Sequence, residues 1–354
     1  MDSTYTDLAN RALKLLESSN KYRILILLIG APGSGKSTIA QRVVDILNQK
    51  HLEHNQQSKT KIKTEYKSKV NDHLNNYDEH AHIDIEDSEY IPTKQISQQG
   101  DLIIRGRGGD DTAIKISHNH SEKDLNSFAQ VVPMDGFHLP RNILHKFKDP
   151  GNAIARRGSP FTFDSSLVVQ LVENINETLD IPSDGINPLD IADSNIPNIH
   201  IPSFDHSEHD PKPFGTTINS NSRVLILEGL YLLLNEPVWN KISRTLNPNI
   251  KYEPIDPNQL KPTNPEISIQ NNLKSIPIPQ NKNHEFWKII IDDNTMLYRV
   301  GKRHLNSGIV KTLKEGEDRV KLNDLPNGKL VYKESFKSDL NIVSIDDINE
   351  STPQ

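Results

Sequence analysis

Short, largely apolar runs recur along the chain and are separated by longer polar or amphipathic stretches. Each run has the length of one strand, and most lack the polar alternation that marks a strand with one exposed face. Continuous apolar runs of this kind are typical of parallel strands that are covered on both faces. The five runs lie at residues 24–29, 128–134, 223–227, 286–291 and 340–345.

Apolar residues at three- and four-residue spacing predict helices between these runs. The first helix lies near the beginning of the chain, where the apolar residues between Tyr5 and Leu16 share one face. Ser165 or Ser166 is in position to cap the predicted helix that begins at Leu167. The predicted helical residues are 5–16, 39–47, 167–173, 230–242 and 299–304. Strands that alternate with helices predict an α/β fold with a parallel sheet and helices on both of its faces.

A glycine-rich turn, GAPGSGKST, joins the first apolar run to the helix that follows it. It satisfies the P-loop pattern G-x-x-x-x-G-K-[ST], whose backbone N–H groups cradle the phosphates of a nucleotide. A strand before the turn and a helix after it are the context that this pattern requires, so we predict a P-loop NTPase-type sheet. The predicted nucleotide-binding residues are Gly30, Ala31, Pro32, Gly33, Ser34, Gly35, Lys36, Ser37 and Thr38.

Charged and hydroxyl side chains at the strand ends supply the candidate chemistry. Lys36 adds a positive charge for the β and γ phosphates, and the hydroxyl of Ser37 can hold Mg²⁺. Asp135 and Glu228 each follow an apolar run, and ligands of open α/β sheets bind beyond the carboxyl ends of the strands. We therefore predict that Asp135, which precedes Gly136, is the base for an attacking hydroxyl, and that Glu228 belongs to the magnesium site. Capping of turns or helices is the alternative for both acids.

The choice of nucleotide follows from a missing motif. A GTP-binding protein is expected to contain Asn-Lys-x-Asp, and the nearest string, NKIS from Asn240, lacks the acid. The sequence therefore favours a kinase or a general ATPase that uses ATP and Mg²⁺. A second hypothesis is an ATP-binding switch or assembly protein that has no small-molecule acceptor. Such a switch needs no second pocket.

Five sequence blocks in order resemble a known kinase group. The blocks are GAPGSGKST, PMDGFHLPR, RRGSPFTFD, ILEGLYLLL and YRVGKRH. Together they resemble the P-loop small-molecule kinases of the uridine kinase, phosphoribulokinase and pantothenate kinase group, and most closely its fungal ATP-dependent kinases and their bacterial relatives. The resemblance implies an enzyme that transfers the γ-phosphate of ATP to a hydroxyl of a sugar, sugar acid, nucleoside or related metabolite.

The resemblance also implies roles for individual residues. Lys36 would stabilise the transferred phosphoryl group, Ser37 and Glu228 would hold magnesium, and Asp135 would be the base or orient the hydroxyl. Arg299 and Arg303 would belong to a lid over the triphosphate. Residues 137–163 would line the acceptor pocket, and the segment FDHSEHDP would form a substrate-side loop. The implied substrate-binding residues are His138, Arg141, Arg156, Arg157, Asp205 and His206.

Two features bear on the acceptor. The adjacent Arg156 and Arg157 suit an anionic or polyhydroxylated molecule, with a solvated basic face as the alternative. Uridine kinases usually carry Ser and Tyr around the phenylalanine that matches Phe137, and the aromatic pattern expected near a pantothenate site is absent as well. The sequence therefore leaves the identity of the acceptor open.

Polar stretches separate the ordered parts of the chain, and we interpret two of them as insertions. In the first, pieces of residues 83–91 and 102–116 are expected to form short strands and RGRGGDD a solvated turn; residues 174–222 are expected to be mostly loop. The predicted organisation is 1–49 with the N-terminal helix and the P-loop strand and helix, 50–125 as a polar insertion, 126–246 as kinase core with the acceptor segment, 247–284 as a proline-rich insertion, and 285–354 as kinase core with the lid.

The amino-acid composition limits the classes of partner, the chemistry and the location that we expect for the protein. Only 34% of the 354 residues are apolar, which agrees with long polar insertions. The formal net charge of -6 supplies no basic footprint, so we expect no nucleic-acid partner. The lack of cysteine excludes disulfides, thiolate metal sites and a cysteine nucleophile. No signal or transmembrane segment is recognisable in the sequence, and we expect a cytoplasmic protein whose oligomeric state is open.

Overall fold

The computed structural model describes residues 2–57, 62–64, 90–118, 127–177, 191–193, 196–257 and 276–344. The described strands are β1 (Ile24–Gly30), β2 (Ile62–Thr64), β3 (Thr93–Ile96), β4 (Leu102–Gly106), β5 (Gly109–Ser117), β6 (Ala129–Pro133), β7 (Ile191–Asp193), β8 (Asn198–Asp205), β9 (Asp210–Ile218), β10 (Val224–Gly229), β11 (His284–Ile290) and β12 (Leu340–Val343). The described α-helices are α1 (Asp2–Ser18), α2 (Lys36–Gln57), α3 (Arg141–Leu144), α4 (Pro150–Ala155), α5 (Ser165–Asn176), α6 (Trp239–Leu246), α7 (Asp293–Asn306), α8 (Leu313–Leu322) and α9 (Asp324–Lys333).

The central sheet is parallel and has the strand order β12-β11-β1-β10-β6. Each of its strands coincides with one of the apolar runs, and all residues of β1 are buried. The predicted α/β fold with a parallel sheet is therefore confirmed. The apolar run at 340–345 continues past β12, and Ile345 lies outside the described residues.

Helices cover both faces of this sheet, as a doubly covered parallel sheet requires. On one face α1 and α2 pack Leu8, Leu15 and Val43 against β1 and β10. On the other face α5 and α6 join a second apolar cluster. The helix α2 continues to Gln57, which extends it into the stretch interpreted as the first insertion. Within the described part of the chain, no helix combines the length and apolarity needed to cross a bilayer.

A buried ion pair joins the first helix to the central sheet. Arg11 on α1 donates hydrogen bonds from Nε and Nη2 to the carboxylate of Glu285 on β11, at 2.9 and 2.7 Å. The indole of Trp287 donates to the same carboxylate at 2.7 Å. A buried charge pair of this kind needs extra hydrogen bonds to offset desolvation, and the Trp287 contact supplies one.

A second sheet is antiparallel and has the order β3-β4-β5-β8-β9. The prediction that residues 174–222 are mostly loop was wrong for 198–205 and 210–218, which form β8 and β9. Residues 178–190, 194 and 195 lie outside the described residues. The strands β8 and β9 contain prolines and polar residues, and their pairing partners are each other and β5, which is distant in sequence. Of the expected strands at 102–116, β4 and β5 are present. Most of residues 83–91 lie outside the described residues.

The RGRGGDD turn between β4 and β5 is also not solvated as predicted. Gly106 and Arg107 are buried, and the N–H of Gly108 donates to Oδ2 of Asp164 at 3.0 Å. A Cβ on Gly106 would collide with the carboxylate of Asp164. The glycines therefore let the hairpin approach the segment that precedes α5.

The predicted helix at 230–242 was wrong over its first part. Residues 230–238 form bends and turns with a single β-bridge from Leu234 to Ser335, and the helix α6 begins at Trp239. Tyr231, Leu232 and Leu233 are all fully buried, so this stretch has no exposed face as an amphipathic helix would. The proline at 237 disfavours helical geometry at Glu236, and Val238 has a φ of 68°.

Candidate functional site

The P-loop follows β1 and ends at the first turn of α2. Gly33 and Gly35 have φ of 74° and 88°, which a residue with a side chain adopts only with strain. A Cβ on Gly33 would also lie 2.8 Å from Cγ2 of Val300 on α7. Sequence and backbone therefore agree here, since the turn needs glycines both for its φ values and for its contact with α7.

Lys36, Ser37 and Glu228 lie together at the carboxyl ends of β1 and β10. The hydroxyl of Ser37 donates to Glu228, with 2.8 Å to Oε1 and 2.9 Å to Oε2. The Nζ of Lys36 donates to the carbonyl of Ala31 at 3.2 Å. Burial lowers the pKa of Lys36, and the negative charges of Glu228 and Asp135 oppose that shift. Burial raises the pKa of Glu228, which the positive charge of Lys36 opposes.

Asp135 lies in a 3-10 turn, Met134–Phe137, that follows β6. Its backbone carbonyl accepts from the N–H of His138 at 3.1 Å and lies 2.7 Å from Nδ1 of the same residue. Gly136 is buried, and a Cβ there would collide with the backbone of Pro202 on β8. The antiparallel sheet therefore packs directly against the turn that carries Asp135.

These groups face one cavity of about 560 Å³. Its lining includes eight of the predicted site residues that bear polar or charged side chains: Lys36, Ser37, Thr38, Asp135, His138, Arg157, Glu228 and Arg303. The P-loop, both acids and one of the two arginines predicted for the lid are thus brought together at the carboxyl end of the parallel sheet. This is the place where an open α/β sheet binds its ligand.

Three predicted site arginines lie elsewhere. Arg299 donates from Nη1 to the carbonyl of Gly33 at 3.2 Å and to Ser344 at 2.7 Å, so it supports the P-loop from the outside. Arg156 donates to the carbonyl of Leu322 at 3.0 Å and does not line the cavity. Arg141 lines a second cavity.

Asp205 and His206 are not brought to the cavity. Asp205 accepts from the N–H and hydroxyl of Ser207 and forms a 2.5 Å ion pair with Lys212. The hydrogen bond from Lys212 lowers the pKa of Asp205. His206 is exposed, with its ring 5.3 Å from that of Phe204. Their predicted role in substrate binding stays a prediction.

The second cavity has a volume of about 630 Å³ and shares His138, Arg157, Arg319 and Asn323 with the first. The ring of His138 lies between two aromatic rings, with centroid distances of 3.9 Å to Phe163 and 4.8 Å to Phe204. Burial lowers the pKa of His138, which favours the neutral imidazole near neutral pH. The volume of the second cavity lies in the range of small-molecule binding sites.

Several lining residues were missed by the sequence reasoning. They come from α7, α8, α9, the residue between α8 and α9, and the turn after α4, and comprise Gly158, His304, Arg319, Asn323, Asp324 and Asn327. Asn327 is the most informative of them, since its Nδ2 donates to the carbonyl of Gly158 at 3.2 Å. That contact joins α9 to the RRGSPFTFD block, but an asparagine in a polar helix gives no signal of such a contact in the sequence.

Tyr332 on α9 was missed as well. Its hydroxyl donates to the carbonyl of Ile289 at 2.9 Å and accepts from the N–H groups of Ala31 and Ile291 at 3.3 Å each. Burial raises the pKa of Tyr332 to about 12. One side chain thus connects the start of the P-loop to the end of β11.

The donor set at Ser37 and Glu228 fits Mg²⁺. Magnesium is held through one or two carboxylates together with phosphate oxygens and water, and a hydroxyl and a carboxylate already lie within hydrogen-bonding distance here. No group of three or more His, Cys, Asp or Glu that could form an all-protein metal site occurs among the described residues. Phosphate oxygens would therefore complete the coordination.

The P-loop after a central parallel strand, faced by an acid near the carboxyl end of the neighbouring strand, defines a P-loop nucleotide-binding protein. ATP-dependent kinase YFH7 of Kluyveromyces lactis is 34% identical over 97% of this chain and 98% of its own length. The chain therefore belongs to the fungal YFH7 family of ATP-dependent kinases. YFH7 from a Saccharomyces cerevisiae strain is 33% identical over 96% of this chain and 98% of its own length.

Solved structures agree with this assignment. The crystal structure of YFH7 from Saccharomyces cerevisiae, described as a proposed P-loop kinase with a circular permutation, has a TM-score of 0.76 and 32% identity, and covers 97% of this chain and 99% of its own. A structure from Silicibacter sp. TM1040, proposed to be a fructose transport system kinase, has a TM-score of 0.53 at 18% identity, covers 95% of this chain and 98% of its own, and supports the fold alone. A family model for magnesium chelatase, subunit ChlI, matches residues 7–90, where the P-loop lies.

Proposed function

We propose that this protein transfers the γ-phosphate of ATP to a hydroxyl of a small molecule. One observation carries the proposal: the P-loop, Glu228 and Asp135 face one cavity, and that cavity adjoins a second one of small-molecule size. A sugar or sugar acid and a nucleoside are the acceptor classes that we favour. The predicted relation to uridine kinase, phosphoribulokinase and pantothenate kinase is part of this proposal.

The residues have separate roles in the proposed reaction. The oxygen of the acceptor hydroxyl bonds to the γ-phosphorus while the bond from that phosphorus to the bridging oxygen of ADP breaks, and Asp135 accepts the hydroxyl proton. Lys36 and Arg303 neutralise charge that develops on the phosphoryl oxygens. Ser37 and Glu228 would hold Mg²⁺, which when bound neutralises charge on the phosphates.

The lining of the cavity supports a kinase over a switch. A protein that only binds and releases ATP needs a phosphate cradle but no carboxylate placed for an attacking hydroxyl. Here Asp135 is close enough to Lys36 and Glu228 for its charge to affect the pKa of both. The same cavity contains the phosphate-binding lysine and a potential base.

The test is a transfer screen. The purified protein is incubated with ATP and Mg²⁺ and with pooled nucleosides, sugars, sugar acids and vitamins, and phosphorylated products are detected by mass. We expect a product in one chemical class, absent in Lys36→Ala. Tight ATP binding with neither transfer nor consumption in any pool would contradict the proposal and favour the switch.

A further inference from the structure

The second cavity has an unbalanced charge. Its described lining contains three arginines and three histidines and no aspartate or glutamate: Arg141, Arg157, Arg319, His138, His145 and His209. The imidazole of His138 is neutral near neutral pH, so the positive charge of the lining comes from the arginines, and a cleft lined by one sign of charge concentrates ligands of the opposite sign. The cavity is therefore suited to an anion.

Arg157 is fixed in place and partly neutralised. Its Nη2 donates to Oδ1 of Asp210 at 2.7 Å and to the carbonyl of Leu139 at 3.1 Å, and its guanidinium lies 5.6 Å from the centroid of the Phe204 ring. Its buried Nε has no hydrogen-bond partner among the described residues. Asp210 offsets this one charge but leaves the other two arginines without an equivalent partner.

Arg141 and Arg319 carry the excess charge. Neither guanidinium forms a salt bridge with a carboxylate in the described part of the chain, although Asp324 of the first cavity interacts with Arg319 at longer range. Arg141 lies close enough to Arg157 for its charge to contribute to the lowered pKa of Arg157, after the larger effect of burial. Two guanidinium groups around one space match a phosphate or carboxylate.

The same cavity has an apolar side. Leu144, Ile154, Ala155, Phe204 and Ile309 line it beside the arginines. Ile154 and Ile309 are more than two-fifths exposed, so their side chains are accessible to a ligand in the cavity. A ligand with an anionic group and a carbon skeleton satisfies both sides.

We propose that the acceptor carries a phosphate or carboxylate group that Arg141 and Arg319 bind in the second cavity, with its hydroxyl at Asp135 in the first. The shared lining of the two cavities lets one molecule occupy both. This inference rests on the proposed kinase function for the placement of the hydroxyl. The anion site itself is defined by the lining of the second cavity.

The first experiment measures anion binding without turnover. The P-loop is filled with a non-hydrolysable ATP analogue and Mg²⁺, and calorimetry then measures binding of inorganic phosphate and, in a separate arm, of acetate. We expect one of the two to bind, and the double variant Arg141→Gln/Arg319→Gln to weaken it by at least about tenfold. Phosphate or acetate binding identifies the anionic group, and failure of both to bind would overturn the proposal.

The control is Arg42→Gln, which removes an exposed arginine on α2 outside both cavities. It should bind the anion as the wild type does, and melting curves of all variants should coincide within a few degrees. Equal binding by the double variant and by Arg42→Gln would overturn the assignment of the two arginines.

The second experiment compares acceptors that differ in one anionic group. Transfer from ATP is measured for ribose and ribose 5-phosphate, glucose and gluconate, uridine and uridine monophosphate, and pantothenol and pantothenate. We expect products from anionic members, with the acceptor KM raised in the double variant and the KM for ATP unchanged. Efficient transfer to a neutral member and not to its partner would contradict the inference. Anion binding without transfer to any of these compounds would support the anion site of the second cavity but contradict the proposed kinase function.

Discussion

The first cavity, which we propose binds the nucleotide, and the second cavity, which we propose binds the acceptor, are built from different parts of the fold, and we call them the nucleotide end and the acceptor end. At the nucleotide end, one continuous stretch of β1, loop and α2 supplies the phosphate cradle, and β10 adds Glu228 from the neighbouring strand. At the acceptor end, His138, Arg157, Phe204 and Arg319 come from four separate segments, one of them a strand of the antiparallel sheet. The first end depends mainly on backbone geometry and the second on side chains.

This contrast has a functional consequence. A cradle of backbone N–H groups recognises phosphates that every ATP molecule carries, whereas side chains from separate segments can change one at a time. Substitutions at the nucleotide end should therefore affect all activity, and substitutions at the acceptor end should affect only the acceptor. The following variants test this division, beginning with the largest expected effect.

Lys36→Ala should abolish phosphoryl transfer. The positive charge of Lys36 lies at the P-loop, and removal of such a charge costs roughly a thousandfold or more in rate. Affinity for ATP should fall as well, because the phosphates lose a cation. Product formation and ATP calorimetry measure the two effects, with the exposed Lys14→Ala on α1 as the control. Retained transfer in Lys36→Ala would show that the P-loop is not the working site.

Asp135→Asn should separate chemistry from binding. An amide keeps the shape of the side chain but cannot take the hydroxyl proton, and loss of a general base costs about a hundredfold to ten-thousandfold in rate. ATP affinity should change less than about twofold. Single-turnover transfer and ATP calorimetry provide the measurements, and the exposed Asp45→Asn on α2 is the matched control. Normal turnover in Asp135→Asn would remove this residue from the mechanism.

Glu228→Gln should change the magnesium and pH dependence of the reaction. We expect the activity to fall about tenfold to a hundredfold and the Mg²⁺ concentration for half-maximal rate to rise. Burial raises the pKa of Glu228, and the ionised form is the one that binds metal. The wild-type rate at limiting Mg²⁺ should therefore rise with pH, and should begin to fall on acidification at a higher pH than an ordinary glutamate would give.

The control for this experiment is Glu53→Gln, which changes an exposed glutamate on α2. It should keep the wild-type pH profile, whereas Glu228→Gln should lose the acidic limb. An unchanged magnesium requirement in Glu228→Gln would show that this carboxylate only positions Ser37. Removal of the metal with EDTA should stop transfer by the wild type.

The same contrast explains what the sequence could predict. Parallel strands that are covered on both faces appear in the sequence as continuous apolar runs. The P-loop and the acids that follow the runs can each be recognised from a short stretch of sequence. Their convergence follows from a general rule for α/β sheets, so Lys36, Ser37, Asp135 and Glu228 could be found without a structure.

The acceptor end could not be predicted in this way. The strands β8 and β9 contain prolines at 202, 211 and 213, and local propensity therefore favours loop. Their pairing depends on β5, far away in sequence, and tertiary contacts override local preference. Arg319 lies on the exposed side of α8, where an arginine that faces a cavity and one that faces only solvent look alike.

Of these variants, Asp164→Asn should have the smallest effect on phosphoryl transfer, and it should affect the acceptor end and leave ATP binding unchanged. Asp164 is fully buried beside Phe163, and its Oδ2 accepts from the N–H of Gly108 at 3.0 Å and from the hydroxyl of Thr112 at 3.1 Å. These bonds connect the β4–β5 hairpin to the segment of Phe163, whose ring contacts that of His138, a residue that lines both cavities. Asparagine keeps only one acceptor oxygen, so either these two bonds or the bond from Ser166 to Oδ1 is lost, and the free energy of unfolding should fall by about 1–3 kcal/mol.

The P-loop makes no contact with this network in the described hydrogen bonds, and ATP affinity should therefore stay the same. Binding of inorganic phosphate with the P-loop filled should weaken severalfold, because Phe163 and His138 lose their support. Urea denaturation and calorimetry measure these effects. Ser166→Ala removes only a 3.3 Å bond to Oδ1 and should cost less. An equal loss of ATP and phosphate binding in Asp164→Asn would show that the two ends are coupled and that the division proposed here fails.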